Sequence, residues 1–295
     1  MISVCIPTYN RAADLANAIA SAQAQSVRDI EILVMDNHSS DATEAVVREA
    51  ARRDERIRYV RHARNIGMAS NFSACIAEAR GELVKFLCDD DLLAPQCAAV
   101  LAEALARPGI VLAACARQFV DSSQKPIRIT GARRHAAVID GPTIIRELFA
   151  SGNSVGEPTA VLFRRADAMR GFDGRYQQAF DVEMWCHLLA RGAFSFVPQP
   201  LCSVRMHAAQ ATRANIRSDR IIEDKRRLFR ELLPLLDGGL SARERWLWDL
   251  RMASTFGRLR AAGAAADPGD VGEVFHPRAF RALVPIASLA WSVAR

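Results

Sequence analysis

Four short apolar runs punctuate the first 90 residues, and three of them end on clusters of polar side chains. Ile2–Ile6 stops at Pro7-Thr8-Tyr9-Asn10, Ile30–Met35 stops at Asp36-Asn37, and Leu83–Cys88 runs straight into Asp89-Asp90-Asp91; the remaining run is Ile57–Val60. Helix-patterned segments separate them. Leu15, Ala18, Ile19 and Ala22 recur at i, i+3, i+4 and i+7, and further helices are expected from Ala42 to Arg53 and from about Met68 to Arg80, closed by Gly81. Asp41, with Glu44 three residues on, reads as a capping box for the second helix. Strand–helix alternation with short turns builds right-handed βαβ units and a mostly parallel sheet. Such sheets bind ligands beyond the carboxyl ends of their strands. The three polar clusters therefore converge on one edge, where a nucleotide is expected.

From about 110 to 206 the pattern is mixed. Strands are expected at Ile110–Ala116, Thr159–Phe163 and Phe194–Val197, helices near Pro142–Ala150 and Asp181–Arg191, and loops at 121–140 and 166–180. Beyond about 215 the chain reads as nearly all helical, with a loop from Gly263 to Gly272. The expected organisation is an α/β unit over 1–215, made of a nucleotide-binding half (1–110) and an acceptor-binding half (111–215), followed by a helical extension over 216–295.

Half of the 295 residues are apolar, which is too many for a disordered chain. No apolar run reaches the roughly 18 residues that span a bilayer. The N-terminus has no basic segment and breaks at Pro7, so it does not read as a secretory signal. The seven cysteines form an odd set without a C-x-x-C pair, and they read as buried thiols of a reducing cytoplasm. Residues 1–200 carry 23 basic and 23 acidic side chains, whereas 201–295 carry 16 and 10, so the whole net charge of +6 sits in the last third. Arg213, Arg217, Arg220, Lys225-Arg226-Arg227 and Arg230 would form a basic helix face. A solvated surface, an anionic membrane and a diphosphate are its three readings. Nucleic acid is not expected, because no aromatic residues interleave with these charges.

Three consecutive aspartates after a buried strand repel one another, and a hard cation such as Mg²⁺ or Mn²⁺ relieves that cost while bridging phosphates. A solvated acidic turn is the plainer alternative. Tyr9 offers a ring face for a base, flanked by the hydrogen-bonding Thr8 and Asn10; a turn with a helix cap is the alternative there. Asp181 opens an apolar helix containing Val182, Trp185, Leu188 and Leu189, which would fix its carboxylate as a base or simply as an N-cap.

Together, Pro7-Thr8-Tyr9-Asn10-Arg11, Val34-Met35-Asp36-Asn37-His38-Ser39-Ser40-Asp41, Asn65-Ile66-Gly67-Met68, Gly81-Glu82 and the Asp89-Asp90-Asp91 triplet resemble, in order and spacing, the family 2 glycosyltransferases of the GT-A fold. The resemblance covers roughly the first 210 residues. It implies an enzyme that transfers a sugar from a nucleotide-diphosphate donor, with a UDP- or dTDP-sugar favoured. By position, Pro7, Thr8 and Tyr9 would line the base pocket and Asp36-Asn37 would lie beside the base and ribose, with Asn10, Arg11, Asn65, Gly67 and Asn71 as further nucleotide-binding candidates. Many members carry a second aspartate where this chain has Asn37; its amide oxygen is the atom left to read the base. Asp89 would face the ribose, Asp90 would be the main metal ligand, and Asp91 a second metal contact. Phe180-Asp181-Val182-Glu183-Met184-Trp185 resembles the family's E-D-x-(D/E)-x-W segment, in which the aspartate is the general base; Phe180 replaces the usual glutamate. Arg205-Met206-His207 with Gln210 and Thr212 resembles the R-x-H-x-x-Q-x-(S/T) element, whose histidine joins the metal or diphosphate. Arg205, Arg213, Glu183 and Trp185 are the diphosphate or acceptor candidates.

The resemblance further implies single displacement with inversion onto a glycan or lipid-linked acceptor, in bacterial surface-polysaccharide synthesis at the cytoplasmic face of a membrane. Processive synthases of the family carry Q-x-x-R-W; here Ala242 precedes Arg245-Trp246, so one sugar per encounter is expected. The apolar stretch Phe280–Val293 would pack in a core or a homodimer interface, or lie peripherally on a membrane. A sugar-nucleotide nucleotidyltransferase and an inactive nucleotide-sugar-binding protein are the rival readings. The first lacks its glycine-rich phosphate loop here, and the second would have no need of Asp181.

Overall fold

The computed structural model describes residues 1–206 and 220–261, with side chains for 1–206 and 221–255. Its framework is a ten-stranded sheet among the described residues. Strands β1 (Ile2–Thr8), β2 (Ile30–Asp36), β3 (Ile57–Arg61) and β4 (Leu83–Phe86) stand in the order β3-β2-β1-β4, all parallel. Helices α1 (Ala12–Gln23), α2 (Thr43–Arg53) and α3 (Met68–Glu78) connect them. Beyond β4 the sheet continues through β9 (Val161–Arg164), β6 (Ile110–Val120) and β10 (Ala193–Arg205). Strand β9 runs against both β4 and β6, while β6 and β10 are parallel. The mostly parallel α/β sheet read from the sequence is the observed one.

Every residue of β1 and β2 is buried, because helices cover both faces. Side-chain alternation divides them between two cores. Ile2, Val4, Ile6, Ile30, Ile32 and Val34 face a cluster with Leu15, Ala18, Ile19 and Ala22 of α1 and with α4 (Cys97–Leu105). Cys5, Leu33 and Met35 face the other cluster, with α3, α5 (Gly141–Ser151) and α6 (Phe180–Leu189). Helices α7 (Arg220–Leu232) and α8 (Ala242–Ala261) join this second core. There Phe229 and Trp248 stack with ring centroids 5.3 Å apart, and Phe149 of α5 meets both edge-on. Helices α7 and α8 are thus packed against α5 and α6.

The segment 121–140, expected as a loop, holds two strands: β7 (Pro126–Thr130) pairs with β6, and β8 (Ala137–Ile139) with β10. Their signal was hidden because Ile127, Ile129 and Val138 point to solvent, so no half-buried alternation marks them. Strand β5 (Leu92–Leu93) is too short for any periodicity and forms only by pairing with β10. The capping box is a second correction: Ala42 is the N-cap of α2 and Glu44 pairs with Arg48, while Asp41 accepts from Thr43 N–H at the helix start and from Ala12 N–H, both at 3.0 Å, tying the β2–α2 turn to α1. Within the basic face, Lys225, Arg226 and Arg227 are partly buried and Arg230 is exposed. Lys225 Nζ donates to Thr255 at 2.8 Å, Arg226 and Arg227 lie 3.8 Å from Glu223, and Arg227 sits over Tyr176. Arg213, Arg217, the 263–272 loop and the 280–293 stretch lie outside the described residues. All seven cysteines are free thiols.

Candidate active site

The carboxyl edge of the parallel strands is assembled from the ends of β1, β2 and β4. Asn10, held at φ +53°, donates its N–H to Ser39 Oγ at 2.9 Å and accepts Ser40 N–H on its amide oxygen at 2.8 Å. These bonds and the Asp41–Ala12 contact stitch the β1 and β2 turns into one rim. Tyr9 remains 46% exposed. Thr8 Oγ1 is buried without a hydrogen-bond partner of good geometry.

Asp89 faces this rim. Burial and the neighbouring Asp90 raise its pKa to about 7, while the Thr8 hydroxyl, the Arg11 guanidinium and the Tyr9 N–H act the other way. Asp91 is different from its neighbours. It is buried, and its two oxygens accept from Thr159 Oγ1 at 2.5 Å and from Arg205 N–H at 3.0 Å. The expectation of a second metal contact is therefore corrected: both oxygens of Asp91 brace the chain. Thr159, in a single 3-10 turn at Pro158–Ala160, is the hub of this brace. Its Oγ1 also accepts from Cys88 N–H at 3.0 Å, and its carbonyl accepts from the buried Lys85 Nζ. A cation and a carboxylate are thereby buried within one hydrogen-bonded network, the condition under which such burial is tolerated.

Several other expected donor residues serve the scaffold. Asp36 is fully buried, accepting from Tyr59 OH at 2.6 Å and Ser39 N–H at 2.8 Å. Asn37 donates to Asn65 Oδ1 at 3.0 Å and accepts Ile66 N–H at 2.8 Å, so the amide oxygen expected to read a base already holds the 65–67 turn. Gly67 sits at φ +87° with open space where a side chain would be. Asn71 does not face the rim: buried, it donates to the Met35 carbonyl at 3.1 Å and meets His62 Nε2 at 3.0 Å.

Asp181 lies in the first turn of α6, whose N-cap position is held by Ala179. Its oxygens accept from Asn153 Nδ2 at 3.2 Å and Val182 N–H at 2.8 Å. Burial raises its pKa to about 7, with a further push from the Glu157 carboxylate; Val182 N–H and Arg117 oppose. Glu157 acts in the same sense on Asp91, which places the triplet and Asp181 in one electrostatic neighbourhood. The loop carrying Glu157 is clamped. Asn153 both donates to and accepts from Gly156, at 3.0 and 2.9 Å, and Trp185 Nε1 donates to the Gly156 carbonyl at 3.1 Å. Gly156 is at φ +121°, and a Cβ there would meet Arg117 Nη1 at 2.2 Å.

Glu183 and Trp185 are corrected as acceptor candidates. Glu183 is buried in a two-point pair with Arg170 at 2.9 and 2.8 Å, and Trp185 is fully buried. Arg205 is braced against Asp14 of α1. His207 and Arg213 lie outside the described residues.

One positioning residue escaped the sequence entirely. Asp224 of α7 is buried and accepts three backbone N–H groups: Gln177 at 3.1 Å, Gln178 at 2.5 Å and Ala179 at 3.0 Å. It does so 46 residues after Gln178, just ahead of Asp181. Arg117, Asn153, Glu157, Thr159 and Lys85 were missed as well. Only Lys85, a lone cation in an apolar strand, carried a local signal.

Comparison with known proteins gives the same reading of this architecture. Residues 3–170 match the model of Glycosyl transferase family 2. An uncharacterized Mycobacterium tuberculosis protein, MT1568, is 33% identical over 244 residues, which cover 79% of this chain and 76% of that one. The Campylobacter jejuni GalNAc(5)-diNAcBac-PP-undecaprenol beta-1,3-glucosyltransferase is 42% identical over 93 residues, 31% of this chain and 30% of that one, so this chain spans less than a third of that relative. Among solved structures, S. aureus TarS 1-349 in complex with UDP superposes with a TM-score of 0.66 at 15% identity, covering 100% of this chain and 92% of that one. The mannosyltransferase PcManGT from Pyrobaculum calidifontis, in complex with GDP-Man and Mn²⁺, superposes at 0.51 with 18% identity, covering 99% and 74%. With strand-end clusters, an aspartate triplet and a buried acidic base candidate on one sheet edge, and a family match across more than half its length, the chain belongs to glycosyl transferase family 2 and is a glycosyltransferase.

Proposed function

We propose that this glycosyltransferase moves a sugar from a nucleoside-diphosphate donor onto an acceptor hydroxyl by a single displacement with inversion. The observation that carries the reading is Asp181: a carboxyl with its pKa near 7, fixed by Asn153 and Val182, and electrostatically linked through Glu157 to the aspartate triplet. A base with that pKa is matched to proton abstraction at neutral pH. Asp181 takes the proton of the attacking hydroxyl as the new bond forms at the anomeric carbon. The bond from that carbon to the diphosphate oxygen breaks, and the nucleoside diphosphate leaves with the electron pair.

The donor's base stacks on Tyr9, and Thr8 and Asp89 face its ribose. Asp90 is the carboxylate assigned to a divalent cation, Mg²⁺ or Mn²⁺. The donor set fits a hard cation, since Asp90 raises the pKa of both Asp89 and Asp91 by charge repulsion. When bound, the cation supplies neutralisation of charge on the departing diphosphate.

One structural neighbour is in complex with UDP and another with GDP-Man and Mn²⁺, which supports a nucleotide-sugar donor and a metal. The C. jejuni relative is named for an undecaprenol-linked substrate, which supports a lipid-linked glycan acceptor and a place in surface-polysaccharide synthesis. No helix among the described residues is long and apolar enough to cross a membrane; we place the enzyme at the cytoplasmic face, reaching such an acceptor peripherally.

Product analysis tests the reading. Incubation with a panel of nucleotide sugars, Mn²⁺ and an extract of lipid-linked acceptors should give one glycosylated product. Proton NMR of its anomeric signal should show the configuration opposite to the donor's. A product of retained configuration, or transfer undiminished in Asp181→Asn, overturns it.

A further inference from the structure

The segment from Asn153 to Ala160 runs from the proposed base to the aspartate triplet. At one end, Asn153 Nδ2 donates to Asp181 at 3.2 Å and to the Gly156 carbonyl at 3.0 Å. One amide nitrogen thus bridges the base carboxylate and the peptide bond that leads into Glu157. At the other end, Thr159 Oγ1 donates to Asp91 at 2.5 Å. Glu157 stands between these anchors, at the N-cap of the 3-10 turn Pro158–Ala160. Val155, Gly156, Pro158, Thr159 and Ala160 are all buried, whereas the Glu157 side chain is 38% exposed. Of residues 155–160, Glu157 alone presents an accessible side chain beside both aspartates.

Its carboxylate is held as well as placed. Arg117 approaches Oε2 at 3.2 Å, and that ion pair balances the two charges. Arg117 is fixed in turn by Thr130 Oγ1, which accepts from Nε and Nη2 at 3.3 and 3.2 Å. Oε2 is buried in the pair, so the exposed part of the group is Oε1 and the chain behind it. The placement has a cost, because Glu157 repels both Asp181 and Asp91. A counter-ion for Arg117 set away from the two aspartates would avoid that cost. A carboxylate oxygen open to the site is an acceptor only, and hydroxyl groups are its natural donors there.

We propose that Glu157 determines specificity in the acceptor site: its Oε1 accepts a hydrogen bond from the hydroxyl next to the one that Asp181 deprotonates, and so selects which of two neighbouring hydroxyls receives the sugar. The inference rests on the proposed transfer reaction, since Asp181 defines the attacking hydroxyl. It requires a vicinal diol of the acceptor, whatever carries that diol. A hydrogen bond to a charged group is worth about tenfold or more, enough to choose between two adjacent hydroxyls.

Transfer from the panel of nucleotide sugars, with Mn²⁺ and the extract of lipid-linked acceptors, would be followed in the wild type, Glu157→Gln and Glu157→Asp. At pH 8 Asp181 has lost its proton, so the base is ready in each protein. Glu157→Gln keeps the shape and weakens the acceptor oxygen. Glu157→Asp keeps the charge opposite Arg117 but draws the oxygen back by one methylene. Methylation analysis would read the linkage of the product, and steady-state kinetics would give acceptor KM and kcat separately. The wild type should give one linkage. Both variants should raise acceptor KM by about tenfold, with a smaller change in kcat, and give a second linkage at the adjacent hydroxyl. Glu157→Asp should keep the wild-type melting temperature, and it carries the test if Glu157→Gln fails to fold. A single unchanged linkage in Glu157→Asp overturns the proposal and leaves Glu157 as the counter-ion of Arg117. Absence of transfer by the wild type strikes at the transfer reaction instead.

Discussion

The strand-end rim and the proposed base site of this enzyme are built in opposite ways. The rim is local: Thr8 to Arg11, Ser39 to Asp41 and Asp89 to Asp90 each follow directly from a strand, and neighbouring turns bond to each other. The base site is remote. Asp181 is positioned by Asn153 from the end of α5, by the Glu157 and Arg117 pair, and by a turn that Asp224 holds from the C-terminal helices. Parallel strands bring their carboxyl ends together whatever the rest of the chain does. A catalytic carboxylate beyond that edge needs a scaffold assembled from distant segments, and its strength depends on packing.

The two regions should therefore respond differently to mutation. The largest effect is expected at the rim: Asp90→Ala should lower turnover by roughly a thousandfold through loss of the cation's several kcal/mol, with an unchanged melting temperature. Asp181→Asn should cost about 10²- to 10⁴-fold in kcat while donor affinity holds, and steady-state kinetics against both substrates would show that split. In the wild type kcat should rise with pH through about 7 as Asp181 loses its proton, and the Asn variant should lack that limb.

Stability gives the same residue an opposite sign. Burial raises the folded-state pKa of Asp181 above its unfolded value, so its contribution to stability is complete below about pH 4 and lost as pH rises through about 7. Asp181→Asn should consequently melt above the wild type at pH 8 and level with it at pH 4, as differential scanning fluorimetry would record.

Asp224→Ala sharpens the comparison from the packing side. It strands three backbone N–H groups and should cost about 2–3 kcal/mol of stability. It should also lower kcat without changing donor affinity; Asp224→Asn, which keeps an acceptor oxygen, should recover part of both losses. The smallest effect belongs to Tyr9→Ala. Loss of one stacking face is worth about 0.5–1.5 kcal/mol, or roughly two- to tenfold in nucleotide Kd, with no change in kcat at saturation.

The same contrast explains what could be read from the sequence. The βαβ alternation, the buried stripe of α1 and the three strand-end clusters follow from periodicities of 3.6 and 2, which act within a dozen residues. Asp181 was found through its motif, but its neighbours were not. Asn153, Glu157 and Asp224 lie 28, 24 and 43 residues from it along the chain, in segments whose own patterns say nothing of Asp181. Asp91, Glu183 and Trp185 show the converse. Each stands inside a recognisable motif, yet its polar atoms serve the scaffold. A motif marks where chemistry happens, while the geometry alone tells which of its residues hold and which are held. Strands β7 and β8 were illegible for a third reason, since their side chains face solvent and their existence depends on β6 and β10 for hydrogen bonds.

The central claim is that Asp90 and the rim of Thr8, Tyr9 and Asp89 form a metal-dependent site for a nucleoside diphosphate. Calorimetric titration of UDP, dTDP, GDP and CDP, with and without Mn²⁺, into the wild type and Asp90→Ala tests it most directly. The account predicts that one nucleotide binds the wild type only with Mn²⁺ and that the variant loses this binding. Nucleotide binding that ignores Mn²⁺, or that survives intact in Asp90→Ala, would contradict it.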